Sequence, residues 1–345
     1  METEGTEDRK SPCSSWFFVT ATVISVVALF VATIGAQPPQ KRLNTVIQLL
    51  EQGRPVFGVY TPSAFPPGGR RGAPPPDTPP KSATDLASEA LGYPDADFLF
   101  NGSMEGGVDR GLPTFTMFVR ALAERASLIK AKPDGLHIVR PLIVKTSKIA
   151  KDPPSVVVSN ISRQLNVGTS GIVFVEAESA AEVQLGLNAM RFTSKGGTRP
   201  DDVGMAPAFW NMSEQEYRQK ADLWPLNRDG ELINWTIVES QEGLAHVREI
   251  AAVKGIGVLF PGAGTLRGVF STTNAAGEHV IDQAAWENAI QQVLAACKEF
   301  HVPCGFPATA NDIELRMKQG FSVFVINWGE AGFRTVDIGR KIAGR

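Results

Sequence analysis

Apolar runs of four to seven residues recur along this chain, separated by stretches in which apolar residues fall every three or four positions. Short runs bounded by turn residues read as buried strands, and the wider spacing reads as amphipathic helix. The strand-like runs are Val56–Tyr60, Ala96–Phe100, His137–Ile143, Gly171–Val175, Trp235–Val238, Gly257–Phe260, Val302–Pro307 and Phe321–Ile326. Helical patterns lie between them at Thr84–Leu91, Thr114–Ile129, Ser155–Leu165, Ala180–Arg191, Gln283–Cys297 and Asp312–Lys318. Leu43–Leu50 comes before the first strand as a capping helix, and Phe333–Arg345 closes the chain as a last one. Strands that are apolar throughout are covered on both faces, so the pattern predicts a parallel α/β sheet. Eight such runs predict a closed (β/α)8 TIM barrel. An open doubly wound sheet is the second choice, but no GxGxxG follows the first run.

Three stretches fall outside that alternation. Trp16–Ala36 is apolar and carries no charge. As a helix it would extend about 30 Å, the thickness of a hydrocarbon core. It reads as a signal peptide or a membrane anchor, an N-terminal hydrophobic helix ahead of a single barrel domain over 37–345. An exported or membrane-anchored protein is therefore expected, periplasmic, extracellular or lumenal, with a membrane contact through residues 16–36 if they are not cleaved. Thr61–Pro80 is rich in proline and glycine and holds Arg70 and Arg71, which suggests a stiff basic flap after the first strand. Phe192–Leu232 is a long connection with a small helix near Glu214–Ala221, and its Met205, Phe209, Trp210 and Trp224 suggest a contact between subunits.

The formal net charge of the 345 residues is -2, which leaves no electrostatic footprint for nucleic acid. The three cysteines form no CxxC pair. Cys297 and Cys304 are read as core thiols that would pair in an exported protein. Charge becomes informative at the strand ends. Glu105 follows the second run, Arg140 lies in the third, Glu176 follows the fourth, Glu239 follows the fifth, and the PGAG turn at 261–264 follows the sixth. In a parallel barrel these converge on one mouth. Carboxylates, an arginine and close-approach backbone N–H groups suit an anionic oxo-acid held on a divalent metal. His137, His246, His279 and His301 have no metal-ligand spacing.

Longer motifs add a resemblance. NTVIQLLEQGRPVFGVY, HIVRP, LNVGTSGIVFVEAESAAEVQLGLNAMRF, FTSKGGTRPDDVG, TIVESQEGL with GIGVLFPGA, and CGFPATANDIELRMKQGFSVFVINWG occur in that order. Together they resemble the HpcH/HpaI aldolase/citrate lyase family of metal-dependent pyruvate aldolases, from about Asn44 to the C-terminus. The resemblance implies a barrel of the phosphoenolpyruvate/pyruvate-binding type. It implies a carbon–carbon lyase that cleaves or forms a 4-hydroxy-2-oxo acid through a metal-stabilised pyruvate enolate. It also implies a homo-oligomer, a hexamer or a dimer, with the last helix exchanged between neighbours. The implied metal is magnesium, manganese or cobalt, with Glu239 as one ligand and Glu176 as a candidate second. Arg140 and Glu105 are the implied catalytic residues, and Arg140, Gly262 and Ala263 would bind substrate. The family's second metal carboxylate falls at about Gly264, its active-site histidine is missing from MEGG, and Ile237 replaces a glutamine. Either another acid, Glu176 or Glu105, completes the metal site, or the metal is lost and the barrel binds an oxo-acid or other small anion without aldolase activity.

Overall fold

The computed structural model describes residues 42–64, 79–128, 140–274 and 277–345, all within one compact unit spanning 41–345. Its barrel strands are β1 (Val56–Tyr60), β2 (Phe98–Asn101), β3 (Leu142–Lys145), β4 (Gly171–Phe174), β5 (Leu232–Val238), β6 (Val258–Pro261), β7 (Gly305–Phe306) and β8 (Val323–Ile326); a short strand, Leu223–Trp224, pairs beside the start of β5, and Ser271–Thr273 with His279–Ile281 form a separate hairpin. Each pairs in parallel with the next from β1 through β6. β7 pairs with β8, and β8 returns to β1 with Val56 opposite Val323. The β6–β7 junction is a single parallel bridge, Leu259 to Cys304, supported by the Leu259 N–H donating to the Pro303 carbonyl at 2.9 Å. The ladder thus comes back to its first strand, and helices cover its outside, as in a TIM-like barrel.

Side chains alternate across each strand, and the apolar residues divide into two clusters accordingly. Phe57, Val59, Leu99, Leu142, Val144, Ile172, Phe174 and Phe324 face the helices. Val56, Phe98, Phe100, Ile143, Val173, Ile233, Trp235, Val258, Phe260, Val323 and Val325 fill the interior. Val46, Ile47 and Leu49 of the helix Thr45–Glu51 join that interior set and close the end from which the strands start. The middle is aromatic. The Trp235 ring meets Phe98 edge-on at 5.0 Å and stacks on Phe260 at 6.3 Å. Space for Phe98 exists because its neighbour is Gly58, where a Cβ would lie 2.3 Å from the ring.

Several expectations change. The third strand begins at Leu142, not His137; residues 137–139 lie outside the described set, and Arg140 stands before the strand. The expected helix at Thr114–Ile129 is Val108–Leu128, which runs through Pro113. Its Gly111 presses on the Ser103 carbonyl, 2.6 Å from where a Cβ would sit, so a residue that looks like a breaker is a contact point. Phe209 and Trp210, expected at a subunit contact, are buried within this chain, and the Trp210 indole donates to the Gly168 carbonyl at 2.9 Å. The last helix, Glu330–Ile342, packs on its own barrel, where Gly339 lies against Phe57 and Arg345 pairs with Asp97. Cys297 and Cys304 are not two thiols but a disulfide, with Cα atoms 5.7 Å apart.

The exported or membrane-anchored location is also corrected. Among the described residues no helix is long and apolar enough to cross a membrane. The run Trp16–Ala36 that suggested one, and Arg70 and Arg71 of the expected flap, lie outside the described residues.

Because Phe98 is fully buried against Trp235, Phe98→Ala leaves a cavity in the middle of the barrel. It should lower unfolding stability by about 3–5 kcal/mol, measured by chemical denaturation.

Candidate active site

The interior aromatics stop short of the end where the strands finish, and a cavity of about 180 Å³ opens there. Tyr60 closes β1, Phe100 is near the end of β2, Lys145 closes β3, and Trp235 and Ile237 come from β5. Glu239 follows β5, Gly262 to Thr265 follow β6, and Pro307 and Val325 complete the wall. A second cavity, about 400 Å³, lies at the strand-start end beside Arg54, His301 and the Cys297–Cys304 disulfide. The smaller one is the candidate site, because parallel barrels place chemistry where their strands end.

Glu239 is 4% exposed and held from two sides. Its Oε1 accepts the Glu176 backbone N–H at 3.0 Å. Glu176 reaches that position with a left-handed φ of 47°, a strained conformation for a residue with a side chain. Gly262 packs directly on the Glu239 carboxylate, where a Cβ would sit 2.4 Å from Oε2. The Glu176 side chain turns elsewhere, to Lys148 at 3.3 Å, and Lys148 also takes Glu178 at 2.7 Å. Glu176 therefore positions Glu239 with its backbone and does not line the cavity.

Lys145 is the cation of the cavity wall, and its Nζ donates to Glu105 Oε1 at 2.9 Å. The side chain of Lys145 is 14% exposed and that of Glu105 44%, so the pair runs from the cavity out to solvent. Tyr60, in the same wall, feels these charges. Burial pushes its phenol pKa up; Lys145 opposes that shift, and Glu105 and Glu239 add to it. The hydroxyl thus keeps its proton at neutral pH. The Trp235 indole N–H is buried and has no hydrogen-bond partner, although its side chain lines the cavity. A buried donor without a partner invites an oxygen atom of a ligand or a water.

The expected residues thus divide. Glu239, Gly262 and Ala263 come together in the cavity, and Glu105 reaches it through Lys145. Arg140 does not. It donates to the Ala90 carbonyl at 2.6 Å, and its charge faces Tyr93, Asp95 and Asp97 at the strand-start end. The strand boundary explains the error: with β3 running Leu142–Lys145, the residue delivered to the mouth is Lys145. A signal for it existed. Lys145 is the first charge after the apolar run LIV, the same sign that marks Glu176 and Glu239.

The donor set does not fit a catalytic divalent ion. Magnesium-like ions take several oxygen ligands, usually more than one from carboxylates. Among the described residues one carboxylate, Glu239, lines the cavity, with the ammonium of Lys145 in the same wall. Gly264 offers no side chain, and Glu176 is engaged by Lys148. Among the described residues no three His, Cys, Asp or Glu side chains are grouped to hold a metal.

No protein-family model matches this chain, and no curated protein sequence does. Solved structures do match, and those it resembles include HpcH/HpaI aldolase/citrate lyase family proteins. One, from Burkholderia cenocepacia, is 19% identical, with a TM-score of 0.57 over 87% of this chain and 96% of its own. The HpcH/HpaI aldolase from Desulfitobacterium hafniense is 15% identical, with a TM-score of 0.55 over 87% and 95%. Macrophomate synthase is 15% identical, with a TM-score of 0.56 over 87% and 86%. The likeness read from the motifs is therefore met in three dimensions across most of the chain. At these identities what is shared is the fold.

A Cβ at Gly264 meets nothing within 4 Å, so a carboxylate can be installed there beside Glu239. Gly264→Asp should strengthen manganese binding at least about tenfold, roughly 1.4 kcal/mol, read as the loss of free-ion signal in electron paramagnetic resonance titrations. Unchanged titrations would show that the cavity lacks more than one ligand.

Proposed function

We propose that this protein is a carbon–carbon lyase whose strand-end cavity takes a 4-hydroxy-2-oxo acid, releasing pyruvate and an aldehyde, or running in reverse. The observation that carries the reading is the meeting of Lys145, Tyr60 and Glu239 in one aromatic-walled cavity. The Lys145 ammonium, the Tyr60 hydroxyl and the free Trp235 N–H are donors for the carboxylate and carbonyl oxygens of such an acid. Phe100, Ile237, Phe260 and Val325 match its carbon chain and strengthen each polar contact by excluding water. Glu239, fixed by the Glu176 N–H and Gly262, is the carboxylate placed to move a proton. The fold supports the same class of chemistry, since the matched structures include aldolase/citrate lyase family proteins.

A second reading keeps the cavity but not the reaction. It is favoured by Gly264, which leaves Glu239 without a partner carboxylate. In that reading the barrel binds an oxo-acid or another small anion without turnover. Pyruvate methyl-proton exchange in deuterated water separates the two, since only enolate or enamine formation exchanges those protons. Exchange faster than in buffer supports the lyase; saturation-transfer NMR contact without exchange supports the binder.

Lys145→Met should remove a charged hydrogen bond worth about 1.5–3 kcal/mol and weaken pyruvate about 10- to 100-fold in an NMR titration. Glu239→Gln should bind pyruvate within a fewfold of wild type and lose the exchange. Undiminished exchange in Glu239→Gln would remove Glu239 from the proton-transfer role.

A further inference from the structure

The cavity presents an electron-sink problem. Breaking the bond between C3 and C4 of a 2-oxo acid leaves an electron pair that something at C2 must accept. A divalent ion can do this, but the donors grouped around Glu239 do not make a site for one. What the same wall offers is a primary amine. Resting on the oxo-acid reading above, we propose that Lys145 is the catalytic nucleophile and forms a Schiff base with the substrate's C2 carbonyl.

Geometry supports each part of this. Lys145 closes β3 on the cavity, and its stem is enclosed, with the side chain 14% exposed. Its Nζ is 2.9 Å from Glu105 Oε1, within reach for proton transfer, and Glu105 is open enough to solvent to pass the proton on. Gly102 brings the loop after β2 over both groups, since a Cβ there would lie 3.8 Å from Lys145 Cδ and 3.9 Å from the Tyr60 ring. Tyr60 and Lys145 therefore sit under one turn of backbone. A lysine suits this chemistry in a way an arginine does not, because a guanidinium does not give up its proton to become an attacking amine.

The reaction balances without an oxidant, a reductant or a further co-reactant. Lys145 gives one ammonium proton to Glu105, and the free amine attacks C2. A carbon–nitrogen bond forms, the carbonyl pair moves onto oxygen, and Tyr60 supplies that oxygen with a proton, regaining one from the nitrogen. The carbinolamine oxygen, given a second proton by Glu105, leaves as water while the nitrogen pair closes the carbon–nitrogen double bond, leaving a cationic imine. Glu239 takes the proton of the 4-hydroxyl, the C3–C4 bond breaks, and the aldehyde departs. The electron pair is taken into the enamine and neutralises the imine charge. Glu239 returns the proton to C3, and one water hydrolyses the imine to pyruvate and Lys145.

The test is reductive trapping on the full chain. Wild-type protein is incubated with pyruvate and cyanoborohydride, with and without a chelator, and then examined by intact mass and peptide mapping. One reduced pyruvate adduct on the peptide containing Lys145, formed in the presence of chelator, is the expected result. Lys145→Arg keeps the charge, so it should still give a saturation-transfer contact with pyruvate while forming no adduct and losing at least 100-fold in proton exchange. Wild-type protein that binds pyruvate by NMR but is never trapped, or is trapped only at other lysines, overturns the Schiff base and leaves the oxo-acid site standing. Absence of any pyruvate contact by NMR overturns both.

Discussion

The aromatic filling of the barrel decides where a ligand can be. Phe98, Trp235 and Phe260 occupy the middle, and the helix Thr45–Glu51 seals the strand-start end with Val46, Ile47 and Leu49. Above them, where the strands finish, a cavity remains inside the barrel. The same Trp235 ring that completes the core therefore makes the cavity floor, and its buried N–H has no hydrogen-bond partner. Packing and recognition share one side chain, so the site cannot be loosened without loosening the core.

Above that floor the polar groups are fixed by backbone. Glu176 adopts a left-handed conformation, and its N–H meets Glu239; Gly262 has no side chain, and the carboxylate lies against it. Strain at one residue and the lack of a Cβ at another hold a single acid in one orientation. Such preorganisation is what proton transfer from a fixed base requires. On the other side Lys145 and Glu105 form a pair that reaches solvent, so the enclosed Glu239 carboxylate shares the cavity with a cation that has an outlet.

Much of this was legible in the sequence. Strands covered on both faces are apolar throughout, so the runs at 56, 171, 235, 257 and 321 mark themselves. Glu239 is legible because a charge directly after such a run must emerge at the strand end. Arg140 misled because HIVRPLI joins a polar lead-in to LIVK, and apolar content alone does not say where hydrogen bonding starts. A shift of a few residues moved the expected cation from the strand end to the strand start and hid Lys145. Pro113 and Gly111 concealed the first turns of Val108–Leu128 because breakers are tolerated where tertiary contact needs them. The Glu176–Glu239 contact was illegible, since it depends on a backbone angle that no local pattern states.

The Cys297–Cys304 disulfide carries a consequence for the sheet itself. β6 and β7 meet through the single bridge at Leu259 and Cys304, the most sparsely bonded junction of the ladder. Cys304 is also tied covalently to Cys297 on the helix Gln283–Glu299, which packs over β6. The cross-link thus works as a clasp on a seam. Every other junction is sewn by a row of hydrogen bonds, while this one is pinned through the helix behind it, and reducing conditions would unfasten the barrel at its thinnest stitch.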